Sequence, residues 1–304
     1  MVKLPFGVDI NNLIDNLRIF SWEAADSMLY YSQIIKDKNC QKNIIKSNDK
    51  EGPVTEADLT VNNLIIKRIQ ENYKGINWEI LSEENVKEGN DSCYKYCDWL
   101  WILDPLDGTK DFIQNTGNYA MHLALNYKKE PYIGVVLIPE KEELWLSYED
   151  KVWCETRDGS RFKPQLSKNE NLKDLVLIKS KNHGNDALDR LIKKIGFREV
   201  IIMGSIGCKI SSIMRGESDI YICLSLPGKS SPKDWDFAAP AAILKAAGGA
   251  ITNLDNEELS FNKTNFEQGG IIIATSNKIF HGVICKQIKG LIKQNDVYPL
   301  DGLI

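Results

Sequence analysis

Two aspartates that follow an apolar segment carry the strongest chemical signal in the sequence. The segment WLWIL predicts a strand, and Asp104 and Asp107 come directly after it. Pro105 fixes one backbone angle and Gly108 permits a tight turn, so the turn can direct both carboxylates and the Leu106 carbonyl toward one point. Two acids held this close repel each other unless a proton or a cation lies between them. Oxygen ligands of this kind are the ones that Mg²⁺ prefers.

Acidic residues at three other points extend this signal. Glu83 and Glu84 follow the strand-like segment EIL, and Asp236 lies at the start of a predicted helix. Asp58 lies in the first turn of another helix, which Thr55 is expected to cap. Each of these acids, and the D-P and D-G pairs themselves, has an ordinary explanation as an exposed turn or a helix cap. Their joint occurrence, in a chain with three histidines and no cysteine pattern typical of a metal site, favours a metal site lined by carboxylates.

The elements that must position these acids follow from the apolar pattern. An amphipathic helix over about 10–37 is predicted by apolar residues at three-to-four spacing, namely Leu13, Leu17, Phe20, Ala24 and Met28. Strand-like segments follow as far as about residue 155. From about residue 172 strands alternate with helices that begin near 184, 206 and 236, which favours a layered α/β fold.

Composition excludes several classes of protein. The 304 residues include 38 basic and 42 acidic side chains, for a net charge of −4, and 43% of the residues are hydrophobic. That content suffices for a sizeable core and rules out a disordered chain, while the mild acidity argues against a nucleic-acid-binding surface. Seven scattered cysteines fit a cytoplasmic protein with reduced thiols. We expect neither a signal peptide nor an integral membrane segment.

Together these motifs resemble those of the lithium-sensitive, magnesium-dependent phosphatase superfamily. That superfamily includes inositol monophosphatases, fructose-1,6-bisphosphatases and 3′(2′),5′-bisphosphate nucleotidases. The resemblance extends from about residue 50 to about residue 275 and rests on four ordered motifs, namely PVTEAD with Asp58, Glu83-Glu84, DPLDGT at 104–109, and WD at 235–236 followed by AAGG. It implies an inositol-monophosphatase-like sandwich of alternating α-β-α-β-α layers.

Within the superfamily the sequence is most similar to CysQ-type bisphosphate nucleotidases. DPLDGTKDF, with Lys110 after the threonine, and Lys233 just ahead of WDFAAP are typical of that branch. GSIGCK at 204–209 stands where the nucleotidases have G-S-x-x-K, and SKNH at 180–183 stands where they have S-R-S-H. Lys181 and Asn182 depart from the latter segment.

The resemblance implies a set of metal ligands for two to three Mg²⁺ ions. Glu83, Asp104 and the Leu106 carbonyl would hold one ion. Asp104 would bridge to a second ion, which Asp107 and Asp236 complete. A third, weaker ion near Glu83 is usual in the superfamily. The division of the chain would then place most metal ligands in an N-terminal half, 1–170, and Asp236 with the substrate pocket in a C-terminal half, 171–304.

It also implies catalytic and substrate-binding residues. Thr109, polarised by Asp58, would orient the attacking water, with Glu83 as the third catalytic residue, and the Gly108 and Thr109 amides would hold the phosphate. Further substrate contacts are expected from Ser205, Lys209, His183 and Asp236, with Lys110, Lys229 and Lys233 as additional lysines near a second phosphate. His122, in contrast, is interpreted as a packed or partly exposed strand residue rather than a ligand.

The expected reaction is hydrolysis of the 3′-phosphate of adenosine 3′,5′-bisphosphate, with 3′-phosphoadenylyl sulfate as a second substrate and a link to sulfur assimilation. Inhibition by Li⁺ and a homodimer are further implications of the resemblance. Two alternatives stay open at this point. One is the same chemistry on inositol or fructose phosphates, and the other is a catalytically silent protein that uses the fold for binding.

Overall fold

The computed structural model describes residues 2–37, 44–49, 52–89, 97–182, 186–226, 229, 231–263 and 265–295. Its helices are α1 (Ile10–Lys36), α2 (Glu56–Asn72), α3 (Glu83–Lys87), α4 (Thr109–Ile113), α5 (Asp186–Ile195), α6 (Ile206–Met214), α7 (Asp234–Ala246) and α8 (Lys278–Asn295). Its strands are β1 (Ile45–Asp49), β2 (Gly52–Thr55), β3 (Glu79–Ser82), β4 (Trp99–Asp107), β5 (Ala120–Tyr127), β6 (Glu130–Ile138), β7 (Glu143–Tyr148), β8 (Lys151–Thr156), β9 (Arg161–Phe162), β10 (Val176–Ser180), β11 (Glu199–Met203), β12 (Ile220–Leu224), β13 (Ala250–Asn253) and β14 (Ile271–Thr275).

Two larger sheets organise these strands. The first runs β3-β4-β5-β6-β7-β8-β9 and is antiparallel except for the parallel pair β3-β4. The second runs β11-β10-β12-β14-β13, with β10 parallel to both of its neighbours and the remaining pairs antiparallel. Strands β1 and β2 form a separate antiparallel pair just before α2.

Three hydrophobic clusters arrange these elements in five layers. Helices α1 and α2 pack on one face of the first sheet, and α6 and α7 lie between the two sheets. The far face of the second sheet is covered by α5 and α8. The α-β-α-β-α sandwich implied by the sequence is therefore confirmed, and so is the buried face of α1, formed by Leu13, Leu17, Phe20, Ala24 and Met28.

Strand β4 differs from the sequence prediction, and the difference matters for the site. A strand ending at Leu103 was expected, yet pairing with β5 continues to Asp107. The register shifts between Asp104, which pairs with His122, and Asp107, which pairs with Ala120. Pro105 cannot donate a ladder hydrogen bond, so it fits within this bulge. Because of the bulge, Asp104 and Asp107 both lie within β4, whereas the sequence predicted that they follow it in a turn.

Other elements agree with the predicted pattern within a few residues. Helices expected near 184 and 236 begin at Asp186 and Asp234, and the helix expected near 206 begins at Ile206. Strand β13 and helix α8 were not predicted. The division of the chain at residue 170 stays a prediction, although the first sheet uses strands from 79–162 and the second uses strands from 176–275.

Within the described part of the chain, no helix has the length and apolar character needed to cross a membrane.

The close approach of α7 to the first sheet gives a test of this packing. A Cβ atom added at Gly134 in β6 would lie 2.5 Å from Ala242 Cβ and 2.9 Å from the Ala239 carbonyl oxygen. We therefore expect Gly134→Ala to lower the free energy of unfolding by about 1–3 kcal/mol, because the two layers must separate. Chemical denaturation measures the change.

The matched control for that experiment is Gly290→Ala. Gly290 lies within α8, and a Cβ atom there meets no atom within 4 Å. Alanine should raise the stability there by roughly 0.5–1 kcal/mol, because it favours the helix. A Gly134→Ala protein as stable as the unsubstituted chain would contradict the described contact between α7 and β6.

Candidate active site

Three aspartates from different parts of the chain converge at the carboxyl end of β4. Asp104 lies at the bulge, Asp107 ends the strand, and Asp236 lies in the first turn of α7. One carboxylate oxygen from each lies within 4.8 Å of the others. Asp104 and Asp107 are buried, and Asp236 is partly exposed. The structure thus brings together the three carboxylates that the sequence suggested as ligands of one ion.

The electrostatics of this cluster favour a bound cation. Burial, followed by the charges of neighbouring carboxylates, raises the pKa of Asp104 well above its ordinary value, and the pKa of Asp236 is raised for the same reasons. Across the described residues, neither a lysine nor an arginine forms an ion pair with any of the three aspartates. An oxygen donor set with this charge fits Mg²⁺, which takes carboxylate, carbonyl and water oxygens. The residues present are therefore compatible with a divalent ion.

Asp107 is held in place by the start of α6. Its Oδ2 atom accepts hydrogen bonds from the Ser205 hydroxyl (2.6 Å), the Gly207 amide (3.1 Å) and the Ile206 amide. Ser205 itself has a φ of +49° and accepts a bond from the Cys208 amide. All three hydrogen bonds end on Oδ2, so the start of α6 fixes the orientation of the Asp107 carboxylate. None of them uses Oδ1.

Gly108 makes the close approach of these two segments possible. It has a φ of +90°, and an added Cβ would lie 2.9 Å from the Asn118 carbonyl oxygen and 3.2 Å from Ser205 Cβ. The position therefore requires glycine for its backbone conformation and for space. The tight turn predicted at Gly108 is confirmed.

Asp58 caps its helix and also contacts Thr109. Its Oδ2 accepts hydrogen bonds from the Thr55 amide (2.8 Å) and hydroxyl (2.5 Å), which caps α2. Its Oδ1 lies 3.3 Å from the Thr109 hydroxyl, which is also 3.1 Å from the Leu106 carbonyl oxygen. Burial raises the pKa of Asp58 to about 7, with further increases from the charges of Glu84 and Glu83. Asp58 therefore points inward while it caps its helix.

Glu83 lines the same cleft but is not a member of the three-aspartate cluster. It begins α3, directly after β3, and its charge raises the pKa of Asp104. Glu83 and Glu84 share an ion-pair partner, Lys87, at 2.8 Å and 3.0 Å. The structure thus places Glu83 beside the cluster and paired with a lysine.

The lining of the cleft also includes cationic and aromatic side chains. The cleft has a volume of about 780 Å³ and includes Lys209 and Tyr221. Lys209 is buried, its Nζ lies 5.3 Å from the centre of the Tyr221 ring, and burial lowers its pKa. Lys110, Lys229 and Lys233 line the same cleft, although Lys233 is 3.2 Å from the Glu267 carboxylate. One cleft is therefore lined by carboxylates and by a buried ammonium group.

The described residues of the segment SKNH contact α4 and the residue that follows it. His183 lies outside the described residues. Lys181 Nζ is 2.6 Å from Gln114 Oε1, and Asn182 Nδ2 donates to Asp111 Oδ2 at 2.8 Å. Asp111 is fully buried, so these contacts join the end of β10 to α4. Lys181 and Asn182, the two positions that depart from the family pattern, therefore have partners within the protein.

His122 is a buried strand residue, as the sequence suggested, but its contact with the aspartates was missed. Its Nδ1 lies 3.3 Å from the Trp235 carbonyl oxygen, and its Nε2 lies 3.3 Å from Asp107 Oδ2. Burial lowers the pKa of His122, and the Asp107 charge opposes that effect. The register of β4 and β5, in which Asp104 pairs with His122, explains this contact. Alternation along β5 alone could not have indicated it, because the bulge in β4 changes the register.

The raised pKa of Asp104 gives a prediction about pH in metal-free buffer. A raised pKa means that the folded chain binds the proton more tightly, so the contribution of Asp104 to stability is full below its ordinary value of 3.8 and is lost as the pH rises. We expect metal-free Asp104→Asn to unfold at a higher temperature than the unsubstituted chain at pH 8, by roughly 2–4 °C. The difference should shrink toward pH 4. Calorimetric melting over pH 4–8 measures it, with the exposed Asp150→Asn as control, and a variant that is less stable at pH 8 would contradict the prediction.

The sequence is similar to a known protein family and to several of its members. The model of the inositol monophosphatase family matches residues 22–293. The 3′(2′),5′-bisphosphate nucleotidase CysQ of Buchnera aphidicola is 30% identical over 266 residues, which are 86% of this chain and 94% of that protein. A fructose-1,6-bisphosphatase/inositol-1-monophosphatase of Thermotoga maritima is 23% identical over 299 residues, 97% of this chain and 98% of that protein.

A solved structure supports the same fold. The Thermotoga maritima IMPase superposes with a TM-score of 0.71 at 22% sequence identity, over 94% of this chain and 99% of that one. The extent of the family match, the five-layer fold and the converging carboxylates lead to one conclusion. The chain belongs to the inositol monophosphatase family and is a phosphoric monoester hydrolase.

Proposed function

We propose that this phosphatase is a Mg²⁺-dependent 3′(2′),5′-bisphosphate nucleotidase that removes the 3′-phosphate of adenosine 3′,5′-bisphosphate. The observation that carries the proposal is the cleft with both kinds of charge, in which three carboxylates and the buried Lys209 share one space. A substrate with two phosphates needs both kinds of charge. The carboxylates would hold metal at the phosphate that reacts, and the ammonium group would bind the other phosphate. The similarity to CysQ of Buchnera aphidicola supports the same substrate class.

The residues that would hold Mg²⁺ are the acids around β4 and the first turn of α7. Asp104, Asp107 and Asp236 supply three carboxylates, and Glu83 and the Leu106 carbonyl oxygen line the same cleft. When bound, divalent ions lower the pKa of a coordinated water and neutralise charge on the leaving oxygen. The protein's own part is positioning, because phosphoryl transfer requires little covalent work from side chains.

Thr109 and Asp58 are proposed to orient the attacking water. The Thr109 hydroxyl has two acceptors within reach, Asp58 Oδ1 and the Leu106 carbonyl oxygen. When the hydroxyl donates to one of these, its lone pairs can accept a hydrogen bond from a water molecule. The Gly108 and Thr109 amides are proposed to bind the phosphate, and Glu83 is proposed as the third catalytic group.

The second phosphate is proposed to bind near Lys209 and Ser205. A buried ammonium group without an ion-pair partner among the described residues is costly, and an anionic ligand would compensate it. Lys110 and Lys229 lie in the same cleft, while Lys233 already has Glu267. Asp236 would contact the sugar.

Several further properties stay predictions. They are substrate contact by His183, which lies outside the described residues, inhibition by Li⁺, a cytoplasmic location, a homodimer and the link to sulfur assimilation.

A phosphate-release panel tests the proposed reaction. Adenosine 3′,5′-bisphosphate, 3′-phosphoadenylyl sulfate, inositol 1-phosphate and fructose 1,6-bisphosphate are compared with and without Mg²⁺. We expect the two nucleotides to have the highest kcat/KM, and activity to require Mg²⁺. Asp104→Asn should lower kcat by roughly 10³-fold or more, because an oxygen ligand shared between the ions is weakened. Preference for inositol 1-phosphate would contradict the substrate, and unchanged turnover in Asp104→Asn would contradict the catalytic site.

The role of Lys209 has a separate test. Adenosine 3′-monophosphate lacks the 5′-phosphate, so it serves as a substrate without the second anion. Lys209→Met should raise KM for adenosine 3′,5′-bisphosphate by about 10-fold or more, because a charge-assisted hydrogen bond is lost. KM for adenosine 3′-monophosphate should change little, and Lys245→Met, on the surface of α7, should change neither value. Equal losses on both substrates would contradict the assignment of Lys209 to the second phosphate.

A further inference from the structure

Lys87 lies in the cleft wall between the two glutamates that begin α3. Its Nζ is 2.8 Å from Glu83 Oε1 and 3.0 Å from Glu84 Oε1. The side chains of Lys87, Glu83 and Glu84 are 15%, 20% and 4% exposed. Spacings of four and three residues put all three on one face of the short helix, so the pairs form without distortion.

These ion pairs are stronger than an ordinary surface contact. Lysine carries a positive charge at neutral pH, so the ammonium group compensates part of the charge of one buried and one partly buried acid. Screening by solvent is weaker here than for exposed pairs.

Glu83 differs in this respect from the three aspartates of the cluster. Within the described ranges, Asp104, Asp107 and Asp236 have no lysine or arginine partner, whereas Glu83 has Lys87. Lys87 lines the same cleft as the three aspartates. A cation that binds through Glu83 must therefore share that carboxylate with an ammonium group or displace it, and the two positive charges repel each other.

We propose that Lys87 is an internal counter-ion that competes with a divalent cation for Glu83 and thereby raises the metal concentration that the enzyme needs. The inference rests on the proposed function, since it concerns the same metal site. Without metal, Lys87 compensates Glu83 and Glu84. With metal bound, the ammonium group keeps Glu84 and loses contact with Glu83.

Two other roles for Lys87 make different predictions. A purely structural clamp on α3 would lower stability by the same amount with and without Mg²⁺, and metal affinity would not improve when it is removed. A lysine that binds substrate would raise KM and leave metal binding without substrate unchanged. Competition alone predicts that the loss of Lys87 tightens Mg²⁺ binding, because the binding energies of the two cations are coupled through Glu83.

The test is calorimetric titration of MgCl₂ into the full chain without substrate, with Lys87→Met compared to the unsubstituted protein. We expect Mg²⁺ to bind Lys87→Met tighter by about five-fold or more. Melting should show the same coupling, since Lys87→Met should be less stable than the unsubstituted protein without Mg²⁺ and the gap should narrow at saturating Mg²⁺. The matched control is Lys67→Met, which removes an exposed lysine from an i,i+4 pair with Glu71 and should leave Mg²⁺ binding unchanged.

Mg²⁺ binding to the unsubstituted protein and to Lys87→Met distinguishes a failure of the competition from a failure of the proposed function. No Mg²⁺ binding to the unsubstituted protein would overturn the proposed metal site itself. Normal binding to the unsubstituted protein with equal or weaker binding to Lys87→Met would overturn the competition alone. A Lys87→Met chain that folds only with Mg²⁺ would support the proposal, and one that is unfolded in both conditions would contradict it. Lys87→Arg, which keeps the charge, should bind Mg²⁺ like the unsubstituted protein.

Discussion

Repulsion among closely spaced carboxylates is the constraint on which the rest of this structure depends. Asp104, Asp107 and Asp236 have oxygens within 4.8 Å of one another, and burial with mutual repulsion raises the pKa values of Asp104 and Asp236. Such a cluster lowers the stability of a metal-free chain at neutral pH, and a fold retains it only when something else compensates the charge. The arrangement therefore makes physical sense as a site for a cation, and the family to which the chain belongs consists of phosphatases.

Three acids of the site, Asp107, Asp236 and Asp58, are held by hydrogen bonds from the starts of helices. Asp107 Oδ2 accepts bonds at the start of α6, Asp236 Oδ2 accepts the Lys233 amide at 2.6 Å, and Asp58 Oδ2 caps α2. Helix starts favour negative charge, so these bonds reduce the cost of placing acids there. In all three acids one carboxylate oxygen is bonded at a helix start, so the ordinary explanation as a helix-capping acid is compatible with a place in the site.

Much of this arrangement could be predicted from the sequence, and the missing parts have physical reasons. The buried face of α1 and the alternation of strands and helices after residue 172 followed from periodicity, and the convergence of Asp104, Asp107 and Asp236 followed from the family resemblance. The extension of β4 to Asp107 was missed, because Pro105 argues against a continuous strand and a bulge leaves no local sequence pattern. The His122 contact depends on that bulge and was missed with it. Lys87 had a visible signal, its spacing of four residues from Glu83, but only the structure shows that the pair lies in the same cleft as the three aspartates.

The position of bound metal tests the central claim most directly. A crystal of the protein soaked in Mn²⁺, which takes the same oxygen ligands as Mg²⁺ and scatters anomalously, gives an anomalous difference map that needs no assumption about activity. We predict a peak between the carboxylates of Asp104, Asp107 and Asp236, within bonding distance of oxygen atoms from all three. A map with no peak at the end of β4, while the three carboxylates keep their mutual distances, would show that the cluster is compensated by protons alone and would contradict the metal site.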